Sequence, residues 1–220
     1  MRIAIIALTL LVTTISCSNQ ETTSPSNKNQ TPLEKLVAGN QRFLEEKSIH
    51  PHQNKKSVLD NQNGQHPFAV ILTCSDSRVP PEILFDQGIG DLFVIRNAGN
   101  LISDIELGSI EYAVEHLDVE LIVVLGHTEC GAIKAYVDAK NDGSKKHHNH
   151  IDDIVEMIAG EPEEKVEAEL HPQEPNMLGC INANIVHSTT GIENSAIIKK
   201  HKTQVVSMRY DVHTGTIVPL

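Results

Sequence analysis

Three apolar runs, at 68–72, 92–95 and 121–125, carry no charge and are built mainly from Val, Ile and Leu. Such runs predict strands buried on both faces, as in a parallel sheet covered by helices on either side. Around them the apolar spacing lengthens to the helical period. Thr31 as N-cap, Pro32 and Glu34 open a helix that carries Leu33, Leu36, Val37, Phe43 and Leu44 on one stripe to about residue 46. Ser103 caps a second, at 104–117, through Ile105, Leu107, Ile110, Ala113, Val114 and Leu117. A third runs from 131 to 139.

The stretch 50–64 is polar and reads as loop, with a short helical turn at Val58 and Leu59. Pro80 and Pro81 limit the next segment to a short helix at 82–85. An acidic helical stretch at 151–170 is interrupted at Gly160 and Pro162, and helices follow at 176–186 and 193–200. Strands at 203–210 and 216–218 close the chain, joined by a turn through Asp211, Thr214 and Gly215. The order βαβαβα with a hairpin-like end implies an α/β fold, a mainly parallel β-sheet flanked by helices, as one domain over 31–220.

The first residues change the domain picture. Arg2, an apolar stretch at 3–12 and small residues to Ser16 form an export signal too short to span a membrane permanently. Cys17 follows directly, as in a bacterial lipoprotein signal, although Thr14 stands where Leu is usual, so export without lipidation stays open. The expectation is a signal peptide at 1–17 ending in a lipidated Cys17, then a flexible Ser/Thr/Asn/Gln-rich tether at 18–30. It places the protein in the periplasm or cell envelope, touching membrane only through that anchor.

A net charge of −11 over 220 residues gives no support to nucleic-acid binding. Absent Trp and few aromatics argue against a stacking surface for sugars. Four cysteines in an exported chain suggest disulfides. With Cys17 set aside for lipid an odd number remains, which suits a two-cysteine metal site better. Cys180 then reads as a small buried residue on a helix face with Leu178 and Ile181.

The chemistry sits at strand ends. Cys74-Ser75-Asp76-Ser77-Arg78 follows the first run and Gly126-His127-Thr128-Glu129-Cys130-Gly131 the third. Parallel α/β sheets place ligands at the carboxyl ends of their strands. If the two strands are neighbours, Cys74, His127 and Cys130 converge as a Cys2His zinc site with one position left for water. His127 and Cys130, three apart, read as sharing a face at a helix start. Asp76 either accepts a hydrogen bond from the metal-bound water or closes the site as fourth ligand. Arg78 offers Asp76 a bidentate partner and leaves the fourth position free.

These two motifs resemble the signatures of the β-class carbonic anhydrases, and the resemblance extends over about residues 32–220. It implies one zinc per chain on Cys74, His127 and Cys130, an Asp76–Arg78 dyad, and hydration of CO2 to bicarbonate and a proton by zinc-bound hydroxide. Gln65, nine residues before Cys74, matches a substrate-binding glutamine of one subgroup. Phe93, Ala98 and Tyr112 match an apolar CO2 pocket that Ala98, in place of a commoner Val, widens. The resemblance further implies an obligate homodimer or a tetramer, with the first helix lying across the partner, and an open site active near neutral pH.

Plainer readings stand beside these. The three ligands could form a structural zinc site or remain buried thiols, Asp76–Arg78 an ordinary ion pair, and Gln65 a turn residue before Pro67. Phe93, Ala98 and Tyr112 could be core, His147, His148 and His150 a solvated loop, and His116 and His187 helix-end residues. At the level of function, a CS2 or COS hydrolase on the same fold and a non-enzymatic envelope zinc-binding protein are the alternatives.

Overall fold

The computed structural model describes residues 30–142, 149–171 and 176–220. The expected signal peptide, Cys17, almost all of the tether, and His147 and His148 lie outside the described residues.

Five strands form one sheet in the order β2-β1-β3-β4-β5: β1 (Ala69–Cys74), β2 (Leu92–Asn97), β3 (Leu121–His127), β4 (Gln204–Tyr210) and β5 (Ile217–Pro219). The first four are mutually parallel and β5 returns antiparallel to β4. Nine helices surround them among the described residues: α1 (Pro32–Leu44), α2 (Lys55–Asp60), α3 (Pro81–Leu84), α4 (Asp104–Leu117), α5 (Gly131–Asp142), α6 (His150–Gly160), α7 (Pro162–Leu170), α8 (Met177–Glu193) and α9 (Ala196–His201). None of the described helices is long and apolar enough to cross a membrane.

Alternation along the central strands divides the core in two. Val70, Leu72, Ile122 and Val124 face one side, with residues of α4, α5, α6, α8 and α9. Ala69, Ile71, Leu121, Val123 and Leu125 face the other, against Leu36 of α1, Leu84 and Phe85. β1 and β3 are buried at every position, which the charge-free runs required. Thr31 makes its capping box with Glu34, and Ser103 caps α4 as read.

The departures have local causes. Each of the first three strands runs two residues past its apolar run, to Cys74, Asn97 and His127, because pairing with neighbours continues through polar residues. The Asn54 side chain caps α2, so a full short helix forms inside the stretch read as loop. α8 continues from Val186 to Glu193, since Ile192 finds core to bury against, and Ser195 caps a separate α9. His187 therefore lies inside α8 rather than at its end, 2.9 Å from Glu163. Gly126 is required by close approach: a Cβ there would lie 2.4 Å from Ile185 of α8, which packs directly over the end of β3.

Candidate metal centre

β1 and β3 pair in parallel with Thr73 opposite Leu125, so Cys74 and His127 arrive at the same sheet edge on adjacent strands. Thr128 and Glu129 then turn the chain, with Glu129 in the left-handed region at φ 58°. Cys130 stands just before α5, its carbonyl accepting from Lys134 N. His127 and Cys130 thus meet across a turn, not on one helix face. The left-handed residue between them, not helical spacing, brings them together. The turn is pinned to the final hairpin: Thr128 N donates to Tyr210 O, and Val212 N to the Thr128 hydroxyl.

Cys74, His127 and Cys130 are all buried, and their ligand atoms lie within 4.8 Å of one another. A single ion with bonds of about 2.3 Å to sulfur and about 2.0 Å to nitrogen fills that span. Two observations test the fit. His127 Nδ1 lies 2.8 Å from Thr128 O, which can only accept, so Nδ1 carries the proton and Nε2 is the bare acceptor. That Nε2 is fully buried and has no hydrogen-bond partner, a costly state that a metal resolves. The thiols are similarly poised. The hydrogen bond from Cys130 pulls Cys74 down, against burial, while Cys130 is pushed up by that same sharing. Backbone N–H groups of Asp76 and Gly99, each 3.4 Å from Cys74 Sγ, add to the stabilisation of its thiolate.

Asp76 is held as expected. Arg78 Nε and Nη2 donate to its two oxygens at 3.0 and 2.8 Å, and Arg78 N donates to Oδ1 at 2.9 Å. These bonds, led by that from the guanidinium, bring its carboxyl down to about 2. Asp76 Oδ2 lies 4.0 Å from His127 Nε2, beside the cluster. Arg78 Nη2 also reaches Glu129 O at 3.2 Å, so one guanidinium ties together the two ligand-bearing segments.

Phe93 and Tyr112 approach ring to ring at 6.4 Å, and Gln65 and Tyr112 line an open cleft of about 420 Å³ with His116. Gln65 is exposed and forms no hydrogen bond among the described residues. Ala98 is exposed on the loop after β2, and Tyr112 is 48% exposed. His116 ends α4 with its ring 5.1 Å from that of Tyr112. His150 opens α6 beside Asp153, at 3.2 Å. Cys180 is buried in the core as read.

Sequence reasoning missed Arg96, whose guanidinium reaches Cys74 O and Asp76 O. It also missed Asn184 and Ser188 of α8, which hold Gly99 O and Asn100 O. The polar run 96–100 was the only sequence signal for this support.

A buried Cys–His–Cys donor set at the carboxyl edge of a parallel α/β sheet, with a paired carboxylate beside it, suits a zinc ion. The profile of the carbonic anhydrase family matches residues 69–217, and the chain belongs to that family, in its β class. Carbonic anhydrase 2 of Mycobacterium tuberculosis is 50% identical over 124 residues, covering 56% of this chain and 59% of the relative. A carbonic anhydrase of Mycolicibacterium smegmatis is 49% identical over 123 residues, with the same coverages of 56% and 59%. The chain thus spans about three fifths of the length of these curated relatives. Among solved structures, a β-carbonic anhydrase of Aspergillus fumigatus aligns with TM-score 0.65 and 27% identity, covering 84% of this chain and 88% of that one. A Coccomyxa β-carbonic anhydrase in complex with acetazolamide gives 0.63 and 26%, covering 86% of each.

Proposed function

We propose that this chain is a zinc-dependent carbonic anhydrase, converting CO2 and water reversibly to bicarbonate and a proton. The observation that carries the reading is the Asp76–Arg78 pair beside the buried cluster. The three donors are complete without Asp76, and Arg78 engages both of its oxygens. Cys74, His127 and Cys130 would hold the zinc, whose Lewis acidity would bring the pKa of a water to roughly 7–9. Asp76, ionised and held by Arg78, would be the hydrogen-bond acceptor beside that centre. Arg78, by engaging both carboxylate oxygens, would keep Asp76 from serving as a further ligand.

Gln65, Phe93, Ala98 and Tyr112 form the substrate pocket in this reading, completed by a second copy of the chain. Two features support a partner there: β2 is the sheet edge with half-buried apolar residues at 92–95, and Ile105 on neighbouring α4 is 77% exposed.

Turnover of CO2, COS and CS2 on one zinc-loaded preparation tests the assignment. CO2 is expected to be preferred by at least about 100-fold, roughly 3 kcal/mol of transition-state discrimination. Preference for either sulfur compound overturns it. A carbon disulfide hydrolase is similar in fold alone, at TM-score 0.50 and 16% identity.

The charged start, short apolar stretch and Cys17 support export with lipid anchoring. Labelled palmitate is expected in the wild-type chain expressed in a bacterium and absent from Cys17→Ser; equal labelling of both refutes it.

A further inference from the structure

We propose that Arg96 is a positioning residue of the metal centre: its guanidinium holds the Cys74-Ser75-Asp76 turn so that the paired Asp76 carboxylate stays clear of the Cys74, His127 and Cys130 donors. Its effect on turnover rests on the carbonic anhydrase reading; its effect on the metal surroundings does not.

Arg96 lies near the end of β2, opposite Thr73 in the parallel register, one position short of the Cys74–Asn97 pair. From this neighbouring strand Nε donates to Cys74 O at 3.0 Å and Nη2 to Asp76 O at 2.7 Å. The two bonds bracket Ser75, whose own N–H goes to Asn97 O. A guanidinium presents two parallel donors in a rigid fork, which suits two carbonyls two residues apart; an ammonium has no such geometry. Among the described residues Arg96 has no carboxylate within ion-pair distance, so its hydrogen bonds go to this turn alone.

The contrast with Arg78 gives Arg96 its role. Asp76 and Arg78 are two residues apart on one loop, and their mutual bonds survive any swing of that loop as a unit. Arg96 fixes the backbone on both sides of Ser75 to β2. It therefore sets where the Asp76 side chain begins. Asp76 Oδ2 lies 4.0 Å from His127 Nε2, so the placement of this turn decides how near the carboxylate stands to the three donors.

The test compares wild type, Arg96→Met and Arg96→Lys, each loaded with zinc for kinetics and with cobalt for its visible spectrum. Arg96→Met is expected to keep one metal per chain and a near-wild-type melting temperature. Its cobalt d–d bands should change as a carboxylate oxygen enters the coordination, and kcat/KM for CO2 at pH 7.5 should fall about 10- to 100-fold. Arg96→Lys should recover only part of both. An unchanged spectrum in Arg96→Met overturns the proposal. So does loss of metal from the folded variant, which would assign Arg96 to the Cys74 ligand instead. If Arg96→Met does not fold, a fully wild-type spectrum and rate in Arg96→Lys overturn it, since charge alone would then suffice. Wild-type protein inactive on CO2 refutes the enzymatic reading, while the cobalt spectra still decide the role of Arg96.

Discussion

Cys74→Ser is expected to remove both the bound zinc and the CO2 hydration activity while leaving a folded protein. A serine hydroxyl stays protonated near neutral pH and is a poor zinc ligand, so the donor set falls to His127 and Cys130. Two donors across a turn cannot reproduce a three-ligand centre. Zinc content after dialysis should drop from about one per chain to near zero, and hydration by at least about 1,000-fold, more than 4 kcal/mol of transition-state stabilisation. Cys74 is one side chain among many in a large core, so the far-ultraviolet circular dichroism should be unchanged. Metal analysis and stopped-flow kinetics on the same sample check this. Retained stoichiometric zinc and activity would remove Cys74 from the site.

The second large effect lies away from the metal. Glu161 and Glu164, at the start of α7, are 3% and 1% exposed, and both Glu164 oxygens and Glu161 Oε2 lack a hydrogen-bond partner. Burial pushes Glu161 up to about 9 and Glu164 up to about 7. Around them lie Tyr136 and Lys140 of α5, Glu163 and Glu167 of α7, and Cys180 of α8. Ile154, Val155 and Ile158 of α6 add only apolar surface to this side of the core.

Above a carboxylate's ordinary pKa the unfolded chain has lost these protons while the folded chain still holds them, so stability falls as pH rises. The contribution is complete below about 4.5, declines through about 7 for Glu164, and is gone once pH passes about 9 for Glu161. Urea unfolding is expected to show several kcal/mol less stability at pH 9 than at pH 5. The double substitution Glu161→Gln with Glu164→Gln should flatten that slope. A pH-independent wild-type curve, or an unaltered slope in the double variant, contradicts the account. The metal site titrates too, so the comparison is made on zinc-loaded protein throughout.

Much of this was legible in the sequence, and the physical reason is burial. Strands covered on both faces must be apolar throughout, so β1 and β3 announced themselves; β2, equally apolar at 92–95 and expected to be buried, is instead a half-buried edge strand, and the adjacency of β1 and β3 that brings Cys74 to His127 came only with the sheet order. What followed the apolar residues was harder to read. Thr73 and Cys74, Arg96 and Asn97, and Gly126 and His127 continue the strands because backbone pairing is indifferent to side-chain polarity.

The turn that presents Cys130 depends on a left-handed Glu129, which no periodicity reveals. Glu161 and Glu164 sit in an acidic helical stretch that reads as solvated, and only packing of α5 and α8 against α7 buries them. Gln65 and Tyr112 line one open cleft and Phe93 lies ring to ring with Tyr112, a grouping that no periodicity along the chain reveals. Arg96 looked like loop because hydrogen bonds to carbonyls leave no pattern in sequence.

In the proposed reading, Arg78 holds Asp76 away from the Cys74, His127 and Cys130 donors, so that a zinc held there would be open at neutral pH. Stopped-flow CO2 hydration by the zinc-loaded protein at pH 7.5 and at pH 9 tests it most directly. The account predicts fast hydration already at pH 7.5, rising only modestly by pH 9. Activity absent at pH 7.5 and present only well above pH 8 would mean that Asp76 occupies the metal and would contradict it.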